Sequence, residues 1–102
     1  MTEKQNFLLY QSMVTTDGKP VYAGTYKFFE THGLPLDTLF SCFKEKGWIP
    51  DWIDFYLSAM SAGMEHKRII SKLEEAISDS FGKEWADHVI FKLNQIFKKD
   101  LK

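Results

Sequence analysis

YKFFETHGLPLD, residues Tyr26–Asp37, decides the fold class. Tyr26, Phe28 and Phe29 supply apolar bulk on one side of a helical wheel, and His32 closes the segment. Gly33 then offers the left-handed conformation in which helices commonly end. Pro35 restarts the chain, since its fixed φ suits the first helical position. Asp37 falls in the new first turn, where the helix dipole favours a negative charge. The stretch therefore reads as helix, glycine stop, proline restart and second helix.

Working outward, the same punctuation recurs. The upstream helix reads from about Val21 to His32, with Val21, Tyr22, Tyr26, Phe28 and Phe29 on one side. The second runs from Pro35 to Gly47. Leu36, Leu39, Phe40 and Phe43 form its apolar face, with Asp37, Ser41 and Lys44 opposite. In GWIPDW, Pro50 disfavours helix at Ile49, and Asp51 can cap a third helix, Asp51 to Ala62. Only Asp54, Ser58 and Ser61 interrupt that helix's apolar surface, which predicts a place near the middle of a bundle. Gly63 ends it.

The fourth helix, Glu65 to Phe81, carries the stripe Ile69, Ile70, Leu73, Ala76 and Ile77, and Gly82 closes it. The fifth, Lys83 to Lys99, presents Ala86, Val89, Ile90, Leu93 and Phe97. One glycine-centred turn joins these two, which predicts an antiparallel hairpin. Upstream, residues 1–6 read as a loose tail, and Phe7–Val14 as a strand or a helical turn. Thr15–Pro20 is a turn built on Asp17-Gly18. The expected fold is one all-α domain over residues 1–102. It is a compact bundle of about five short helices with an irregular or short-strand N-terminal segment.

Composition narrows the function classes. Hydrophobic residues make up 44% of the chain and aromatics 16%, enough for one sizeable core. The net charge of −1 favours neither a polyanion nor a polycation as general partner. Arg68 is the lone arginine, so a phosphate-reading surface would have to be built from lysine. Cys42 is the lone cysteine, so no internal disulfide can form and an intracellular, cytoplasmic setting is expected. No apolar run approaches the ~20 residues that span a bilayer, so no membrane partner is expected.

Nothing in the pattern points to catalysis. His32, His66 and His88 lack ligand spacing, so no metal and no cofactor is implied. They read as packing or capping residues, with His32 on the apolar side of its helix end. Cys42 lies beside the apolar face of the second helix and reads as a small buried hydrophobe. Glu74, Glu75 and Asp79 read as a solvated helix face. GxxxxGK[ST], GxGxxG and GxSxG do not occur. Phe91 stands out, because it lies opposite the buried stripe of the fifth helix, among Asp87, Asn94 and Lys98. An aromatic there is either covered by the N-terminal segment or offered to a partner. The lysines of the C-terminal KKDLK suit a helix end, with a weak phosphate-contacting patch as the alternative.

AGTYKFFETHGLPLDTL resembles a recurring segment of alanyl-tRNA synthetases, where the catalytic core passes into the helical region that recognises the tRNA acceptor stem. Tyr26, Phe28, Phe29, Glu30, Thr31, Gly33, Leu34, Pro35, Leu36 and Asp37 fill the family's slots. His32 departs, standing where the family usually has Tyr. The similarity continues loosely through Glu45–Gly47, Asp51, Phe55, Ala59, Met60 and Arg68, with an extra residue between Phe55 and Met60. It thus spans residues 20–68. The ATP-binding core and the editing domain's His/Cys cluster have no counterpart here. The resemblance therefore implies a tRNA-binding module without aminoacylation, such as a phage or other mobile element could carry. Asp37 inherits the family's candidacy for reading the acceptor stem, with Lys27 and Lys44 as the nearest phosphate contacts.

A second reading comes from composition alone. Near-neutral charge and surplus aromatics suit a protein-interaction module, an adaptor or inhibitor that binds a protein partner or its own copy. Phe91, Trp48 and Trp52 are then the candidate partner-binding residues.

Overall fold

The computed structural model describes residues 9–97. In chain order these form strands β1 (Tyr10–Val14) and β2 (Pro20–Ala23), helices α1 (Thr25–His32) and α2 (Leu36–Lys46), and strand β3 (Ile49–Pro50). Helices α3 (Trp52–Ser61), α4 (His66–Ser80) and α5 (Lys83–Phe97) follow. The fold is thus mostly helical but not purely all-α, because a three-stranded sheet of order β1-β2-β3 accompanies the helices. The expected tail at residues 1–6 and the KKDLK segment lie outside the described residues, as does the end of the fifth helix beyond Phe97.

The largest correction concerns Val21–Ala23, which is strand rather than the start of a helix. Gly24 adopts φ 88, a left-handed backbone that breaks helical continuity. Upstream of it, Val21 and Ala23 are buried and Tyr22 is half-buried, the alternation of a strand with one covered face. β1 pairs antiparallel with β2 through the turn at Thr15–Lys19, with an irregularity between Gln11 and Met13. β2 in turn pairs parallel with β3, Val21 opposite Ile49. All five residues of β1 are exposed, and among the described residues β1 is the outer strand of the sheet.

The helix punctuation falls where the residues dictate. The Gly33 N–H donates to the Phe29 carbonyl at 3.0 Å with φ 67. Gly47 and Trp48 N–H groups satisfy the Lys44 and Phe43 carbonyls at the end of α2. Pro35 stands just before α2, with Asp37 in the first turn. Around Gly82, both Phe81 and Gly82 donate to the Ile77 carbonyl, and α4 and α5 pack along each other.

One core joins the helices. It holds Leu39, Phe40 and Phe43 of α2, Phe55, Tyr56 and Ala59 of α3, Ile69, Leu73 and Ile77 of α4, and Ala86, Val89 and Leu93 of α5. Truncating a fully buried member such as Leu73 to alanine costs ~2–5 kcal/mol in such a setting. α3, expected near the middle, buries Phe55, Tyr56 and Ala59 in this core but leaves Ile53, Leu57 and Met60 as an exposed row at i, i+4 and i+7. One expectation fails. Cys42 is exposed rather than a buried hydrophobe, since the apolar face of α2 turns just past it.

Candidate functional site

The N-terminus of α3 is the corner from which the site is built. The Asp51 Oδ1 accepts the Asp54 N–H at 3.0 Å, capping the helix. Its Oδ2 accepts the Ser12 hydroxyl of β1 at 2.9 Å. The Asp51 N–H donates to the Tyr22 carbonyl at 2.8 Å, and Asp54 Oδ2 accepts the Gly24 N–H at 2.8 Å. Two carboxylates thereby fasten the sheet and the start of α1 to α3.

Between this corner and α5 opens a groove of about 420 Å³. Its floor is aliphatic, from Val21, Ile49, Val89 and Leu93, and Met13, Ile53 and Trp85 stand exposed at its walls. Trp52 forms part of the same wall, half-buried and held edge-on by Phe40 and Phe81. A smaller depression of about 180 Å³ adjoins it, since Ile49 and Trp85 line both. Trp48 and Lys44 line this second one. Trp48 stacks on Tyr22 at 4.3 Å between ring centroids, with the Lys46 ammonium 5.4 Å from its own ring.

Three of the sequence candidates, Lys44, Trp48 and Trp52, therefore meet on one face. The other three do not join them. Phe91 is 61% exposed and lies outside the groove. Lys27 is exposed on α1. Asp37 is exposed and lines a separate cleft of about 320 Å³ with Glu75, Asp79 and Lys72. The Lys72 ammonium there lies 5.7 Å from the Phe29 ring. That cleft holds three carboxylates and one ammonium.

Met13, Ile53 and Trp85 are groove residues that sequence reading passed over. The i, i+4 spacing of Ile53 and Leu57 was a usable signal, but it reads equally as core until the neighbouring elements are placed. The histidines do structural work where they are held. His66 Nε2–H donates to Asn94 Oδ1 at 3.2 Å, which leaves Nδ1 to accept the Tyr56 hydroxyl at 2.6 Å. His32, expected against the apolar side, is exposed and rests on Phe28. Burial, then the nearby Glu30 carboxylate, raises the Tyr26 phenol above its ordinary value.

Among the described residues no group of three His, Cys, Asp or Glu side chains could hold a metal ion. No helix among them is long and apolar enough to cross a membrane. No protein-family model, curated protein or solved structure matches the chain.

Proposed function

We propose that the chain is a small non-catalytic binding module that takes a protein partner in the groove between the sheet corner and α5. The observation that carries this reading is the grouping of exposed Met13, Ile53 and Trp85 around an aliphatic floor. Exposed apolar side chains scattered singly need no explanation, but several around one concavity mark an interaction site. The test is selection of random displayed peptides against the purified protein, with Ile53→Asp as the control surface. Ile53 is exposed in the first turn of α3, where an added carboxylate suits the helix end and leaves the fold intact. Peptides that bind the parent and lose at least ~10-fold in affinity for the variant support the reading. Peptides that bind both alike would remove the groove.

The second reading is tRNA recognition at Asp37, supported by the resemblance and by the exposure of Asp37 beside its helix corner. The charges around it weigh against this use. Glu75 and Asp79 would face an approaching phosphate, and among the described residues lining the cleft Lys72 alone offsets them. Lys44 lines the smaller depression beside the groove instead of that cleft. Titration with alanine tRNA and an unrelated tRNA at low and near-physiological salt separates the readings. Selective binding that Asp37→Ala abolishes would replace the protein-partner reading with this one.

A further inference from the structure

The charges around the groove specify its occupant further, an inference that rests on the protein-partner reading above. Lys19 and Lys44 line the smaller depression, and His88 and Lys92 line the larger. Among the described residues none of the three lysines is in an ion pair. The ion pair formed there is Lys83 with Asp87, on the first turns of α5 that also carry the groove residues Trp85 and His88. Among the described residues Asp51 is the single carboxylate lining either depression, and it keeps its charge while its oxygens accept the Asp54 N–H and the Ser12 hydroxyl. Asp17, two residues from Lys19 in the hairpin turn, partly offsets that lysine. The Thr15 hydroxyl chiefly, with Lys19 adding a smaller pull, holds the Asp17 carboxyl below its usual range.

A chain of net charge −1 thus carries a cation-flanked apolar groove on one face and an acid-rich cleft elsewhere. Unpaired cations beside an apolar floor complement a segment with apolar anchors and neighbouring carboxylates. We infer that the groove binds an acidic peptide segment of a partner protein. Its apolar side chains seat among Met13, Ile53 and Trp85, and its carboxylates face Lys44 and Lys92. Single-stranded nucleic acid would meet the same lysines, but it needs free aromatic faces on which bases can stack. Trp48 is already stacked on Tyr22, Trp52 is held edge-on by Phe40 and Phe81, and the more exposed Trp85 packs in tilted contacts with Trp52 and Phe81. The floor offers aliphatic side chains, which suit peptide anchors better than bases.

The same displayed-peptide selection supplies the probes. Enriched peptides should combine Asp or Glu with Leu, Ile, Phe or Trp. Calorimetry on a synthesised winner should show a loss of at least ~10-fold for the K44E/K92E double variant, since opposed charges at an interface become like charges. Replacing the peptide's Glu by Lys should restore binding to that variant, with unchanged circular dichroism throughout. Enrichment of neutral or basic peptides, or a change below twofold in the double variant, would overturn the acidic occupant. Sensitivity to Ile53→Asp would in that case still uphold the groove itself. Equal binding to Ile53→Asp would sink both. Displacement of the winning peptide by oligouridine at near-physiological salt would assign the face to nucleic acid instead.

Discussion

Thr25 is fully buried, yet its Oγ1 has no hydrogen-bond partner among the described residues. A buried hydroxyl left unsatisfied costs ~1–3 kcal/mol, and an apolar group of the same shape avoids that cost. Thr25→Val is therefore expected to stabilise the protein by about 1 kcal/mol, which raises the thermal midpoint by roughly 4–8 °C at this size. A lowered midpoint in a circular-dichroism melt would show that the hydroxyl earns its place. At this scale the sequence was most readable where one residue's own backbone preference decides the outcome. Gly33 and Gly47 end helices because few other residues adopt their positive φ without strain. Exposure is a property of neighbours, and there single-residue reading failed. Cys42 lies one position from a buried Phe43 and is nevertheless open to solvent.

Elements were readable in proportion to their periodicity. α2, α4 and α5 bury the apolar residues that their 3.6-residue spacing picks out, including Leu39, Phe43, Ile69, Leu73 and Val89. β2 was hidden because Val21, Tyr22 and Ala23 fit a short strand and a helix start equally well. β3 has only Ile49 and Pro50, too few residues for any pattern. The Asp51 cap was legible from its position after Pro50, but its grip on Ser12 needs β1 in place. Removing both contacts with Asp51→Ala is expected to cost about 1–2 kcal/mol. Amide exchange in Tyr10–Val14 should accelerate beyond the global change, because the strand loses its side-chain tie to α3. Uniform acceleration over α4 and α5 as well would mean that the corner holds the whole fold and has no special claim on β1.

For the whole molecule, charge was the least legible property. Summation over the chain gives −1, and a sum carries no direction. Lys19, Lys44 and Lys92 come from three separate places in the chain: a hairpin turn, the end of α2 and the middle of α5. Only the folded topology brings them to one side and leaves Asp37, Glu75 and Asp79 around another cleft. The candidate site was accordingly half visible. Trp48 and Trp52 could be nominated by residue type and Lys44 only as a phosphate contact for Asp37, while their common surface depends on the Trp85 and Ile49 that link the two depressions.

The parallel pairing of Val21 with Ile49 bears on the order of events when the chain collapses. It cannot close until α1 and α2, which lie between its two strands, have been drawn together, so its loop-closure entropy must be met early for a late reward. The α4–α5 hairpin meets no such delay, because its partners are joined by a single turn. Leu73→Ala should therefore slow refolding, and Val21→Ala should chiefly quicken unfolding, in stopped-flow measurements across denaturant. The reverse pattern would place the sheet in the nucleus. If the expected pattern holds, the second wall of the groove is laid down last, and the growing molecule spends its earliest moments as a helical pair still waiting for the binding face it will carry.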